Sequence, residues 1–167
     1  MIQPHGGVLV NRITSGEEQA AWSKLAETLP KIDIDSWTIS DLELIANGAF
    51  SPLTGFMNEE DYHAVLDTMR LKNGTVWTIP VTLAVAEETA RTLSVGSQAA
   101  LVDRDDQTIC AIIDIESIYR ADQREEAKKV YRTAETEHPG VAKLYSRPSV
   151  YVGGPIRLLR RKQPKPF

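Results

Sequence analysis

The chain predicts an α+β domain: about six strands forming a small, partly closed barrel, with four or five short helices around it. Three observations carry this. Short amphipathic segments with helix-start and helix-stop signals crowd the first 74 residues. Strand-like segments dominate from residue 75 onward. No internal repeat and no long apolar helix is present, so most long-range pairing must be between strands.

Taken in order, "VLVNRI" (8–13) predicts a short apolar strand. "TSGEEQAAWSKLAETL" then predicts a helix: Ser15 and Glu18 have capping-box spacing, Trp22, Leu25, Ala26 and Leu29 follow at helical intervals, and Pro30 marks the exit. "IDIDSWTI" (32–39) alternates Ile32 and Ile34 against acids, the period of a half-buried strand. "SDLELIANG" (40–48) predicts a helix capped by Ser40 and ended by Asn47-Gly48. "NEEDYHAVLDTMRLKNG" (58–74) predicts another, capped by Asn58, with Tyr62, Val65, Leu66 and Met69 inward and Asn73-Gly74 at its end. Its three acids complement the positive end of the helix dipole.

"TVWTIPVTLAV" (75–85) alternates like a strand, but Pro80 cannot donate to a ladder and places it at an edge or a bulge. "SQAALVD" and "TICAIIDIESIY" around "RDDQ" predict a hairpin. "DQREEAKKVYRTA" (122–134) is a charged amphipathic helix, and "HPGVAKLYSRP" a turn, a short helical piece and a loop. "SVYVGGPIRLL" (149–159) predicts a last strand interrupted at Gly153-Gly154-Pro155.

Composition bounds the function. At 167 residues the chain is one domain, large enough to bury roughly two-thirds of its unfolded surface. Net charge is −4, but residues 153–167 hold five basic groups and no acid, leaving 14 basic against 23 acidic groups in the first 152. Such a tail either touches nucleic acid or an acidic partner, or is a solvated connection to a further segment. The single Cys110, in an apolar run, reads as a small buried hydrophobe and fits a reducing compartment. No stretch approaches the ~20 apolar residues of a membrane span, and no signal peptide opens the chain. The expected location is the cytoplasm.

Chemistry-bearing patterns are sparse. His5, His63 and His138 have no second ligand at zinc spacing. "PHGG" and "VGGP" lack the Lys-Ser/Thr of a phosphate loop, and Ser51 in "GAFSPLTG" is not in a hydrolase elbow. The pairs Glu17-Glu18, Glu59-Glu60 and Glu87-Glu88 all begin predicted helices, where the dipole accounts for them. The residues alone predict a domain with no catalytic, cofactor-binding or metal-binding residue.

"PHGGVLVNR" (4–12), "DLELIANGAFSPLTGFMNEEDYHAVLDTMRLKNGTVWTIPVTL" (41–83) and "EHPGVAKLYSRPSVYVGGPIRLL" (137–159), with the strand-rich region between, resemble the N-terminal domain of bacterial ATP sulfurylase (sulfate adenylyltransferase). The resemblance runs in order over almost the whole chain. It implies a PUA-like mixed β pseudo-barrel over residues 1–159, with 160–167 the start of a linker. It also implies a parent enzyme of sulfate assimilation that forms adenosine 5′-phosphosulfate and pyrophosphate from ATP and sulfate with magnesium. That chemistry belongs to a following domain with Gln-x-Arg-Asn-Pro-x-His and Gly-Arg-Asp-His-Ala-Gly segments, neither of which occurs in 1–167. The implied partner is that catalytic domain, with a homo-oligomer of the parent also implied. PUA folds elsewhere bind RNA, but an acidic body with pI near 5.4 disfavours a phosphate-backbone footprint. The candidate interdomain contacts are Phe50, Leu53, Phe56, Met57, Arg157 and Arg160. With that resemblance, the irregular apolar stretch "AFSPLTGFM" (49–57) is expected to be an ordered loop packed under the 58–71 helix, with either some of its large side chains left to meet the following domain or all of them, Phe50 and Leu53 foremost, in the domain's own core.

Overall fold

The computed structural model describes residues 4–160. It is a mixed α+β domain around one curled sheet, with seven strands and six α-helices among the described residues. In chain order these are α1 (Gly16–Ala26), β1 (Lys31–Ile34), α2 (Ser36–Ala46), β2 (Gly55–Phe56), α3 (Glu59–Thr68), β3 (Leu83–Val85), α4 (Glu87–Ala90), β4 (Gln98–Asp103), β5 (Ile109–Asp114), β6 (Ser117–Arg120), α5 (Gln123–Tyr131), α6 (Pro139–Tyr145) and β7 (Val150–Leu158). None of the helices is long and apolar enough to cross a membrane.

β7 organises the sheet. Its first half pairs with β3 on one side and β6 on the other; its second half pairs with β2 and β5. β4 continues from β5, and β1 joins β4 in parallel at the far edge. Both sides of β7 change partners at Gly153-Gly154, which is how one strand bends a sheet into a half-closed barrel. The glycines permit it sterically. A Cβ on Gly154 (φ +151°) would lie 1.8 Å from the Asp114 carbonyl oxygen, and one on Gly153 would lie 2.4 Å from that of Met57. The expected interruption is therefore a continuous nine-residue strand, bare of side chains where its neighbours cross.

Other expectations shift for equally local reasons. Residues 8–13 form no strand: Val8 and Leu9 are exposed, and only Ile13 bridges, in parallel, to Leu158. The strand expected through 32–39 stops at Ile34, because Asp35 caps α2 by accepting from the Thr38 amide at 2.9 Å. Ser40 thus lies inside a helix instead of at its start. Ser15 makes no side-chain cap bond although α1 begins next to it. α3 ends at Met69, which takes a left-handed φ of 55°, and Asn73-Gly74 instead turns the chain between the bridged residues Arg70 and Val76. Only Leu83–Val85 of the 75–85 segment is a strand. Residues 76–81 bond singly to different partners, with the Trp77 amide to the Met69 carbonyl and the Val81 carbonyl to the Met57 amide. "TICAIIDIESIY" is split in two at Ile115-Glu116. The hairpin around "RDDQ", the Asn58 cap, the Asn47-Gly48 stop and the short helix after His138 form as read, while the helix read over 122–134 runs only Gln123–Tyr131 and ends at a left-handed Arg132.

The main core gathers one face of α2 (Ile39, Leu42, Ile45), the inner residues of α3, and the inward side chains of the sheet. A smaller cluster seats Ala26 and Trp22 of α1 on Ala100 and Ile112.

Candidate functional site

Two features have chemistry beyond ordinary packing. The first is internal. Glu126, on α5, is 5% exposed, and its Oε1 accepts from the hydroxyls of Tyr62 and, at 2.9 Å, Tyr151. Tyr119 completes a triangle of rings with centroids 5.4–5.8 Å apart, and its hydroxyl donates to the Met57 carbonyl. Burial drives the Glu126 carboxyl above its ordinary range, with the two tyrosine bonds opposing. Burial likewise raises all three phenols, so they stay protonated donors. The cluster ties α3, α5, β6 and β7 together, and no buried side-chain polar atom among the described residues lacks a partner. It is a brace.

The second is a surface groove of about 500 Å³, lined by Asp41, Phe50, Val76, Trp77, Thr78, Ile79, Pro80 and Val81. Its wall is the 76–81 segment, which lies outside the ladders and so leaves side chains uncovered: Val76 is 45% and Ile79 57% exposed. Phe50 meets Trp77 edge-on at 5.6 Å. The His5 ring centroid is 5.8 Å from that of Trp77, and its Nε2 is 2.6 Å from the Val76 carbonyl. One turn before Asp41 on α2 stands Trp37, 70% exposed, with Lys143 over its ring. Helical i,i+4 spacing puts Trp37 and Asp41 on one side of α2.

Asp41 is the one charged residue in the lining. It makes no hydrogen bond or ion pair among the described residues, and burial pushes its carboxyl up to about 6, with Arg147 pulling it down and Asp35 adding to the rise. The neighbouring cations are committed elsewhere. Arg147 donates to the Thr82 carbonyl and hydroxyl and lies 5.5 Å over Tyr151; Lys143 pairs with Asp35 at 3.6 Å.

The six sequence-predicted contact residues do not converge. Leu53, Phe56 and Met57 are 2–6% exposed and spend their surface in this domain's core, so they are not free to meet a neighbour. The loop needs them there because β2 and the start of α3 must seal against β7. Phe50 alone of the loop's four is half-buried, in the groove. Arg157 is held inside the domain, 2.7 Å from Asp114 and 4.3 Å over the Trp22 ring. Arg160 is exposed beside a separate depression lined by Gln19, Ser23 and Glu27. The rest of the expected linker, 161–167, lies outside the described residues. Sequence reading missed Asp41, Trp77 and Ile79; the available signal was Pro80 inside an apolar run, which forbids the regular strand that would have covered them.

His63 is exposed, 4.0 Å from Glu59, and His138 caps α6 through Nδ1. No three His, Cys, Asp or Glu side chains among the described residues converge as metal ligands.

A "Probable bifunctional SAT/APS kinase 2" of Sorangium cellulosum (strain So ce56) is 51% identical over 161 residues, which is 96% of this chain and 28% of that protein. Sulfate adenylyltransferases of Synechococcus sp. (strain JA-3-3Ab) and Nostoc punctiforme are each 46% identical, again over 96% of this chain but 40% and 41% of theirs. The matched part is N-terminal in these relatives, so the chain spans less than half their length. Among solved structures, the hexameric APS kinase from Thiobacillus denitrificans superposes with a TM-score of 0.74 at 26% identity, covering 99% of this chain and 28% of that one. The domain family described as PUA-like matches residues 2–161. The half-closed barrel turned by β7 is thus that family's domain, and this chain belongs to the PUA-like domain family.

Proposed function

We propose that this chain is the N-terminal supporting domain of a sulfate adenylyltransferase, holding the catalytic part of the enzyme in place without handling substrate itself. The parent reaction would join ATP and sulfate into adenosine 5′-phosphosulfate and pyrophosphate. ATP and magnesium would then be held by the part of the enzyme beyond the matched region. The observation that carries this is the in-order match of 96% of the chain to sulfate adenylyltransferases whose remaining length lies beyond it. The Phe50–Trp77–Ile79 groove supports it physically, since a domain that ends in solvent has no need of an uncovered aromatic and aliphatic wall. The phosphate-binding segments of the family are missing from 1–167, which agrees with a supporting role.

The test is sulfate-dependent ATP–pyrophosphate exchange. The 167-residue chain alone is expected to show none. A full-length chimera, with this domain replacing the matched N-terminal part of the Synechococcus enzyme, is expected to show it. Turnover by the chain alone, or a folded chimera without turnover, overturns the proposal.

A further inference from the structure

We infer that Asp41 receives an arginine side chain, presented between apolar residues by the part of the enzyme that follows this domain. This rests on the docking role proposed above and names the chemistry of the docking surface.

The carboxylate of Asp41 forms part of a groove whose other walls are aromatic, aliphatic and proline side chains, with Thr78 alone among them carrying a hydroxyl. Other carboxylates set into this domain are served from within: Asp114 by Arg157, Glu126 by two tyrosines, Asp35 by the Thr38 amide and Lys143. Asp41 makes no such bond, and it lines a groove open to solvent. A partner that fills the groove removes that solvent. Covering the carboxylate with apolar groups alone strands its charge or forces it to take up a proton, so the occupant that complements it in its charged form brings a cation. No cation inside the domain bonds to it: Arg147 favours its charged form from nearby but donates to Thr82 and lies over Tyr151, and Lys143 pairs with Asp35 and lies over Trp37. Arginine fits better than lysine, since its planar guanidinium can pair with a carboxylate while its face lies on the Trp77 indole. The same fold already builds that arrangement once, where Arg157 pairs with Asp114 and stacks on Trp22.

Docking of this kind is linked to proton loss. The groups facing Asp41 are Arg147 and Asp35, with Lys143 beside Asp35; together with burial they leave its carboxyl at about 6 before docking. A guanidinium in the groove pulls it down by about 1–3 units. Docking therefore strengthens about tenfold between pH 5 and pH 7.

The experiment follows the Asp41 carboxyl by 13C NMR in the 167-residue chain and in the chimera, with iodide quenching of Trp77. The expected result is a fall of about two units in the chimera, with Trp77 shielded. Trp77 shielded while Asp41 keeps its high value means docking without a cation, and overturns this inference while exchange activity leaves the supporting role standing. Both residues unchanged in an active chimera place the docking surface elsewhere and overturn it too. Should the chimera not fold, the chain itself is titrated with acetyl-Leu-Arg-Leu-amide and its citrulline counterpart. An arginine preference of about fivefold or more that vanishes in Asp41→Asn supports the inference; equal or absent binding of the two peptides overturns it.

Discussion

The crossing of β2 over β7 can be broken by one methyl group. In Gly55→Ala the new Cβ would sit 1.8 Å from the Gly154 carbonyl oxygen and 2.6 Å from both the Gly154 carbonyl carbon and the Pro155 Cα. All three are backbone atoms in a paired strand, so no rotamer relieves the clash; the strands must part by more than an ångström before the contact reaches 3.0 Å. That displacement stretches the bond from the Ile156 amide to the Thr54 carbonyl, now 2.9 Å. Overpacking strain of about 1–3 kcal/mol, plus about 1 kcal/mol for the hydrogen bond, gives a loss near 3 kcal/mol. For a domain of this size that lowers Tm by about 6–12 °C. Urea denaturation and a thermal melt by circular dichroism measure it, with the urea slope unchanged. Gly74→Ala is the comparison: there the methyl meets nothing within 4 Å, and only the φ of +92° is strained, costing about 1–2 kcal/mol. A Gly55→Ala loss no larger than that of Gly74→Ala would refute the close-crossing argument.

Three further outcomes follow from the geometry. Asp35→Ala removes the α2 cap and is expected to cost about 1 kcal/mol, whereas Ser40→Ala, inside the helix, should change urea stability by less than about 0.5 kcal/mol; equal effects would put the helix start back at Ser40. The Glu126 carboxyl is raised in the fold above its ordinary 4.5, so its contribution to stability is full below that pH and is lost as pH rises through the folded value. Glu126→Gln does not titrate, and its stability relative to wild type should improve from pH 4 to pH 7; a trend in the opposite direction would mean that the tyrosine hydrogen bonds outweigh burial. Arg157→Ala loses a half-buried ion pair and a cation–π contact and should cost about 1–2 kcal/mol by denaturation, while exchange activity of the chimera at a temperature where it stays folded is expected to match the parent chimera. A selective loss of activity would return Arg157 to the docking surface.

Several local signals carried through to the structure, although the capping-box spacing at Ser15 did not. Asn58 accepts from an amide three residues on, Asn47-Gly48 ends α2, and "RDDQ" turns a hairpin, because each depends on atoms a few bonds apart. The in-order resemblance likewise made the PUA-like class legible before any geometry. Competition between equally local signals was not legible: Asp35 and Ser40 both suit a helix start, and the earlier won because residues 36–39 also pack Ile39 inward. The tertiary structure alone decided what Gly153-Gly154 and Gly55 are for, since their role is the absence of a side chain where distant strands cross within a backbone's width. It also decided which of Phe50, Leu53, Phe56 and Met57 face outward, and that Asp41 stands unpaired in the groove. Burial and charge pairing at such positions are set by residues far off in the chain, and no period or spacing records them.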